Sequence, residues 1–258
     1  MLRFGPTCGI LSTLVLLYLP SISLADDGVL EINQTCAVET GCFAGDTLGF
    51  PVTIAAAGSY RLTSNLVLPS DDTDGIRIST SDVGIDLNRF AIITAACLDE
   101  NSICRPSSGS GSGIETTSTN SRGISVRNGN ITGMGDVGVS LGEQAEVSEL
   151  LVRWSGHAGI VVDLGSTVSK TLSYANGGDG IVVDSGSSVS DSTIYNNVGD
   201  GIEAGSGCSI QRNTVRSNTG AALRLDLQSA YRENTLTGNG GGCAIGGVSS
   251  GDNSCNGS

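Results

Sequence analysis

Gly180-Ile181-Val182-Val183-Asp184-Ser185-Gly186-Ser187-Ser188-Val189-Ser190-Asp191-Ser192-Thr193-Ile194-Tyr195-Asn196-Asn197 decides how this chain is read. Its apolar residues stand two apart in runs of three to five, and each run is bounded by Gly, Ser or Asn. That is the period of a strand with alternate side chains inward, not the period of a helix. The line then recurs every twenty-one residues without insertion or deletion. It starts again as Gly138-Val139-Ser140-Leu141, Gly159-Ile160-Val161-Val162, Gly201-Ile202-Glu203-Ala204 and Ala222-Leu223-Arg224-Leu225. One apolar column runs Val139, Ile160, Ile181, Ile202, Leu223, and a second runs Leu141, Val162, Val183, Ala204, Leu225. A third runs Val126, Val147, Val168, Val189, Ile210, Tyr231. A fourth runs Ile131, Val152, Ser173, Ile194, Val215, Leu236, with Ser173 its one polar defect.

Three short strands per twenty-one residues predict one coil of a three-sided solenoid. The chain climbs one strand spacing, ~4.8 Å, per coil, and every strand pairs in parallel with those above and below. By this frame residues 117 to 242 make six coils, and the period fades before Thr117. Composition agrees. The 258 residues hold 38 glycines, one Trp and only 4% aromatics, too few large side chains for a thick globular core. A formal net charge of −13 argues against nucleic acid or an anionic membrane as partner, since both need a basic face.

The 180–197 line, with its echoes in neighbouring lines, resembles the right-handed parallel β-helix of the pectate-lyase-like superfamily. Ile85-Asp86-Leu87-Asn88-Arg89-Phe90 is similar to the first coil of exported bacterial members, most without assigned activity. The fold expected is therefore all-β, a single-stranded right-handed parallel β-helix with N- and C-terminal caps. Its right-handedness is what the resemblance implies. The resemblance says little about chemistry, because the superfamily holds lyases, hydrolases, epimerases, adhesins and non-enzymes.

Four segments are expected. Residues 1–25 read as an export signal: Arg3, the apolar run Ile10 to Leu19, then Ser23-Leu24-Ala25 for cleavage near Ala25. The run is about ten residues, short of the ~20 that span a bilayer, so no membrane insertion is expected. Residues 26–69 form an N-terminal cap with lead-in strands, 70–242 the β-helix and 243–258 a C-terminal cap. The polar stretch at about 97–113, ending Ser-Ser-Gly-Ser-Gly-Ser-Gly, reads as a loop leaving the solenoid wall. Export to a periplasmic or extracellular, oxidising compartment gives the cysteines meaning. Cys36 with Cys42, Cys97 with Cys104, and Cys243 with Cys255 are sequence-local candidate disulfides, leaving Cys208 unpaired.

Several columns could do more than hold coils together. Asn176, Asn197, Asn218 and Asn239 read as a structural amide ladder with Ser155 above it. Glu149, Lys170, Asp191, Arg212 and Glu233 alternate in sign and read as a register device. Arg153, Tyr174, Tyr195 and Arg216 are the candidate binding column, two tyrosines between two guanidiniums, a flat, polar-edged platform whose rings can stack on sugar rings and whose guanidiniums suit an acidic polysaccharide. Asp163, Asp184 and Asp226 share a further column, and Asp179 and Asp200 precede the next glycines. A calcium-dependent lyase would use Asp163 and Asp184 to hold the ion, with Arg216 among the candidate bases. His157 in Gly156-His157-Ala158-Gly159 and the Asp72-Thr73-Asp74-Gly75 stretch resemble parts of the polygalacturonase motifs, but no Asp-Asp pair or Arg-x-Lys accompanies them. The Asp-Pro-His triplet of alginate-type epimerases is absent as well. The reading is an exported non-catalytic protein, structural or polysaccharide-binding, with no cofactor and no metal. Two alternatives stand beside it: a lyase or hydrolase acting on an acidic glycan, with calcium if a lyase, and a surface adhesion or protein-interaction solenoid.

Overall fold

The computed structural model describes residues 1, 28–98, 104–105, 108–118 and 120–256; the expected export signal lies outside them. They wind into a parallel β-solenoid with three faces. The first face is a nine-stranded sheet running from Val52–Ile54 through Ile76–Ile78, Ile114–Thr116, Val139–Leu141, Ile160–Val162, Ile181–Val183, Ile202–Ala204 and Leu223–Leu225 to Ala244–Ile245. The second face carries Thr167–Ser169, Ser188–Ser190 and Ser209–Gln211, and the third carries Leu172–Tyr174, Thr193–Tyr195 and Thr214–Arg216. These two faces are continuous where Ser125–Thr132 and Glu146–Arg153 bend as single strands across the corner.

The twenty-one-residue columns are physical stacks. Val139, Ile160, Ile181, Ile202 and Leu223 pair in register across five coils, each fully buried. Burying a branched aliphatic side chain contributes roughly 1.5–3 kcal/mol, so the stacked Val, Ile and Leu columns provide the main driving force for winding. Ser173, the defect, is also fully buried. Its Oγ donates to Gly180 O at 2.7 Å and accepts from Asn176 Nδ2 at 3.1 Å, so it joins the amide ladder instead of leaving a polar atom orphaned.

Each corner needs a sharp change of direction, which a residue with positive φ supplies. Between second and third faces that residue is Asn128, Glu149, Lys170, Asp191, Arg212 or Glu233, with φ between 51° and 61°. The alternating charges therefore sit at strained corners, with roughly 1–2 kcal/mol against each L-residue there. Side chains of the following coil satisfy the backbone N–H beside each corner. Asn197 Oδ1 accepts from Asn176 N, Asn218 Oδ1 from Asn197 N, and Asn239 Oδ1 from Asn218 N, all at 3.0 Å. That ladder lines the corner between third and first faces; a second, through Asn213, Asn234 and Asn253, lines the corner between second and third. At the remaining corner Ser166 and Ser187 do the same work. Cys208 occupies a rung of that serine ladder, its N–H donating to Ser229 Oγ at 3.0 Å. The unpaired cysteine is thus buried, a serine replacement in a structural column.

The ends depart from expectation in an informative way. The strands at 52–68, expected as lead-in to the solenoid, pair in parallel register with 76–94 and so complete a coil of their own. What covers that coil is Val29–Ile32, the short helix Gln34–Glu39 and the Cys36–Cys42 disulfide, with Asp46 Oδ1 accepting the edge N–H of Thr53 at 2.8 Å. Beyond Gly242 the chain keeps winding through Val248–Ser249 and Ser254–Asn256, stapled by Cys243–Cys255. Cys97–Cys104 closes the start of the insertion. Residues 108–113 do not leave the wall: Gly111 N donates to Asp71 O and Gly75 N to Ser112 O. Glycine permits this approach, since a Cβ at Gly111 would come within 2.5 Å of the Thr73 backbone.

Candidate functional site

On the third face, register places Arg153, Tyr174, Tyr195 and Arg216 side by side as outward neighbours on successive coils. The two phenol rings stack on each other with centroids 4.7 Å apart and planes 3° from parallel. The Arg216 guanidinium lies over the outer face of Tyr195, 4.4 Å from its centroid. At the other end Arg153 Nη1 donates to the Tyr174 hydroxyl at 2.9 Å, while its guanidinium covers the Trp154 ring at 4.1 Å. Trp154 meets Tyr174 edge-on at 6.5 Å. The tyrosines therefore turn their ring faces along the solenoid axis, toward one another and toward the flanking residues. What they present outward is edges and hydroxyls. Polar recognition here runs through guanidinium N–H and phenol O–H groups, not through face-on stacking of a sugar ring.

Ion pairing divides the cations on the coils into two groups. Arg77 pairs with Asp74 and Glu115, Arg127 with Asp86, Lys170 with Glu149, Arg212 with Asp191 and Arg224 with Asp200. Arg153 and Arg216, like Arg61, Arg89, Arg105, Arg122 and Arg232, take part in no ion pair among the described residues; what sets the two apart is that each guanidinium lies over an aromatic ring. Each is held by an aromatic face worth about 0.5–1 kcal/mol at an exposed site, which orders the guanidinium without neutralising it. The outward neighbours on this face, Leu151, Leu172, Thr193 and Thr214, are uncharged. A shallow groove beside them is lined by Asn130, Leu151, Leu172 and Thr193 and bordered by the charged residues Arg89, Glu149, Lys170 and Asp191.

The lyase candidates are not brought together. Asp163 and Asp184 follow first-face strands, whereas Arg216 points outward from the third face. The reason is register: positions 163 and 184 end one side of the triangle, and 216 ends another. Asp163 is pushed up in pKa by burial, then by the neighbouring charges of Asp184 and Glu143. Asp179, Asp200 and Glu203 form a tighter acidic group, with carboxylate oxygens within 4.8 Å of one another. Burial first and Asp179 next raise the pKa of Glu203. Both oxygens of Asp200 and one of Asp179 are already engaged. Asp179 Oδ1 accepts from Asp200 N, Asp200 Oδ1 accepts from Ala221 N, and Asp200 Oδ2 pairs with Arg224. A cation here would compete with the Arg224 guanidinium for Asp200. His157 sits at a corner against Asp136, its Nδ1 2.8 Å from Oδ1, in the place that Gly178 and Gly199 take on later coils.

A family profile described as the right-handed beta helix region matches residues 112–257. The chain belongs to that family. The sequence matches no curated protein. Among solved structures this β-helix is similar to the Dettilon tailspike protein gp208, with a TM-score of 0.54 at 12% identity over 73% of this chain and 46% of that one. It is similar also to the periplasmic alginate epimerase AlgG, with a TM-score of 0.52 at 13% identity over 87% of this chain and 57% of that one. The chain thus spans about half the length of these structures, and the likeness is one of fold. No helix among the described residues is long and apolar enough to cross a membrane.

Trp154, which the sequence alone reads as either an extension of this surface or a turn filler, sits at the corner beside Arg153, and the uncharged strip of Leu151 and Leu172, on the same face, was not among the candidates. Their signal was in the sequence. Each lies one or two places from Arg153 or Tyr174 in its own line of the repeat.

Proposed function

We propose that this protein is an exported β-helix that binds an acidic polysaccharide on its third face without transforming it. The observation carrying this reading is the pair of ordered guanidiniums, Arg153 and Arg216, left without carboxylate partners in a chain of net charge −13. A fixed planar donor fork suits the carboxylate of a uronic acid. Tyrosine hydroxyl edges between the two suit sugar hydroxyls. Export fits the sequence signal near Ala25 and the three disulfides, which belong to an oxidising compartment.

The test is retention on immobilised polygalacturonate, alginate and a neutral glucan, at low and high salt, with and without calcium. Retention on the uronate polymers, weakened by salt and lost in the double variant Arg153→Gln/Arg216→Gln, supports the reading. Equal retention on neutral glucan, or none at all, overturns it. Ultraviolet absorbance appearing from an unsaturated product would instead establish lyase activity.

A further inference from the structure

The spacing of the two guanidiniums carries the reading above one step further. Arg153 and Arg216 lie at the ends of four successive coils, with Tyr174 and Tyr195 stacked between them. Three coil spacings of ~4.8 Å separate the arginine positions, about 14 Å. The column continues into neutral Thr132 on one side and Thr237 on the other. Parallel to it run Leu151, Leu172, Thr193 and Thr214 on one flank, and the corner residues Trp154, Ala175, Asn196 and Ser217 on the other, all uncharged. A polyanion laid across the coils would reach only one of the two arginines and run into the corner where Glu149, Lys170, Asp191 and Arg212 alternate in sign and pair with one another.

We infer that the ligand is a linear polyanion lying along the solenoid axis, with carboxylates on one chain engaging Arg153 and Arg216 together. This rests on the binding reading just given and adds orientation and length to it. The site is a two-point clamp. Each exposed guanidinium–carboxylate contact alone is weak, on the order of 1 kcal/mol or less. A ligand long enough to reach both makes its second contact intramolecularly, which raises affinity without any new chemistry. Arg153 is already anchored, with Nε 3.4 Å from Thr132 Oγ1 and Nη1 bonded to Tyr174, and Arg216 is ordered over Tyr195, so little conformational freedom is lost on engagement. The rise to be expected is a step with chain length, not a gradual slope.

The experiment titrates size-graded oligogalacturonides, from the dimer upward, into the full protein and into Arg153→Gln and Arg216→Gln, following binding by calorimetry. Circular dichroism melts confirm that both variants fold. Wild type should show a step in affinity, about fivefold for a second contact worth about 1 kcal/mol, at the length that first spans the two arginines. Each single variant should bind every length alike, at the weak level of the short oligomers. A smooth rise with length in wild type, or a step surviving in either variant, overturns the clamp while leaving acidic-polysaccharide binding intact. Absence of binding at every length, the intact polymer included, overturns the parent reading itself.

Discussion

Replacing Asn197 by alanine should destabilise the solenoid far more than replacing its neighbour Asn196. Asn197 is 1% exposed, and its Oδ1 accepts from both Asn176 N at 3.0 Å and Asn176 Nδ2 at 2.9 Å. Its Nδ2 donates to Asn218 Oδ1 at 3.0 Å and to Ser173 O at 3.3 Å. Truncation strands two buried donors of Asn176, at about 1–3 kcal/mol each, so the loss is roughly 2–6 kcal/mol. Against a total stability on the order of 5–15 kcal/mol that is a large fraction. At about 2–4 °C per kcal/mol for a chain of this size, the melting midpoint should fall by on the order of 10 °C. Asn196 is exposed at a corner with φ of 56°, and Asn196→Gly should leave the midpoint unchanged or raise it slightly. Asn197→Ser, which restores an acceptor as Ser192 does in the adjacent ladder, should fall between. Thermal and urea melts followed by circular dichroism give the answer. If Asn197→Ala and Asn196→Gly unfold together, the ladder is not what holds the corner.

Three further outcomes follow from the same bookkeeping. Ser155→Ala removes a buried hydroxyl with no partner while keeping the backbone bond to Asn176, so urea melts should show no loss and a gain of up to about 1 kcal/mol. Cys208→Ser should keep the serine ladder within about 1 kcal/mol, whereas Cys208→Val, which removes the Sγ–H donor to Asp184 O, should lose about 1–3 kcal/mol in the same assay. Asp163 has its pKa raised by burial and by Asp184 and Glu143, so its protonated form favours the fold. That contribution is complete below the ordinary carboxylate value and is lost as pH rises through the raised one. Asp163→Asn should therefore raise the melting midpoint at neutral pH and leave it unchanged in acid.

The repeat between Gly138 and Leu225 was legible because strict stacking forbids insertions: Ile160, Ile181 and Ile202 must recur in step or the core opens. Earlier coils were hidden by the insertion before Ile114, although Ile76 and Ile114 are direct partners in the sheet. The amide column at 176–239 was visible as one letter repeated. Its companion through Asn213, Asn234 and Asn253 was not, because Thr171 and Ser192 fill the same register with different chemistry. Corner residues such as Lys170 and Arg212 adopt positive φ without glycine, so no local signal marks them. At the candidate site, spacing made Tyr174 and Tyr195 neighbours and suggested a flat platform on which sugar rings stack, which the ring planes do not provide. Rotamer and packing against Arg153 and Arg216 turn the faces inward along the axis, which moves recognition from ring faces to donor groups.

Hydroxyl-radical footprinting of the full protein with polygalacturonate tests most directly whether the third face is where this β-helix meets its ligand. Trp154, Tyr174 and Tyr195 are good radical targets on one strip, and Leu164 and Leu227 are exposed beside the acidic end of the first-face strands. Protection of the Trp and the two tyrosines, with both leucines unchanged, is the predicted result. Protection of the leucines while the aromatic strip stays reactive would contradict the account and move the site to the acidic columns.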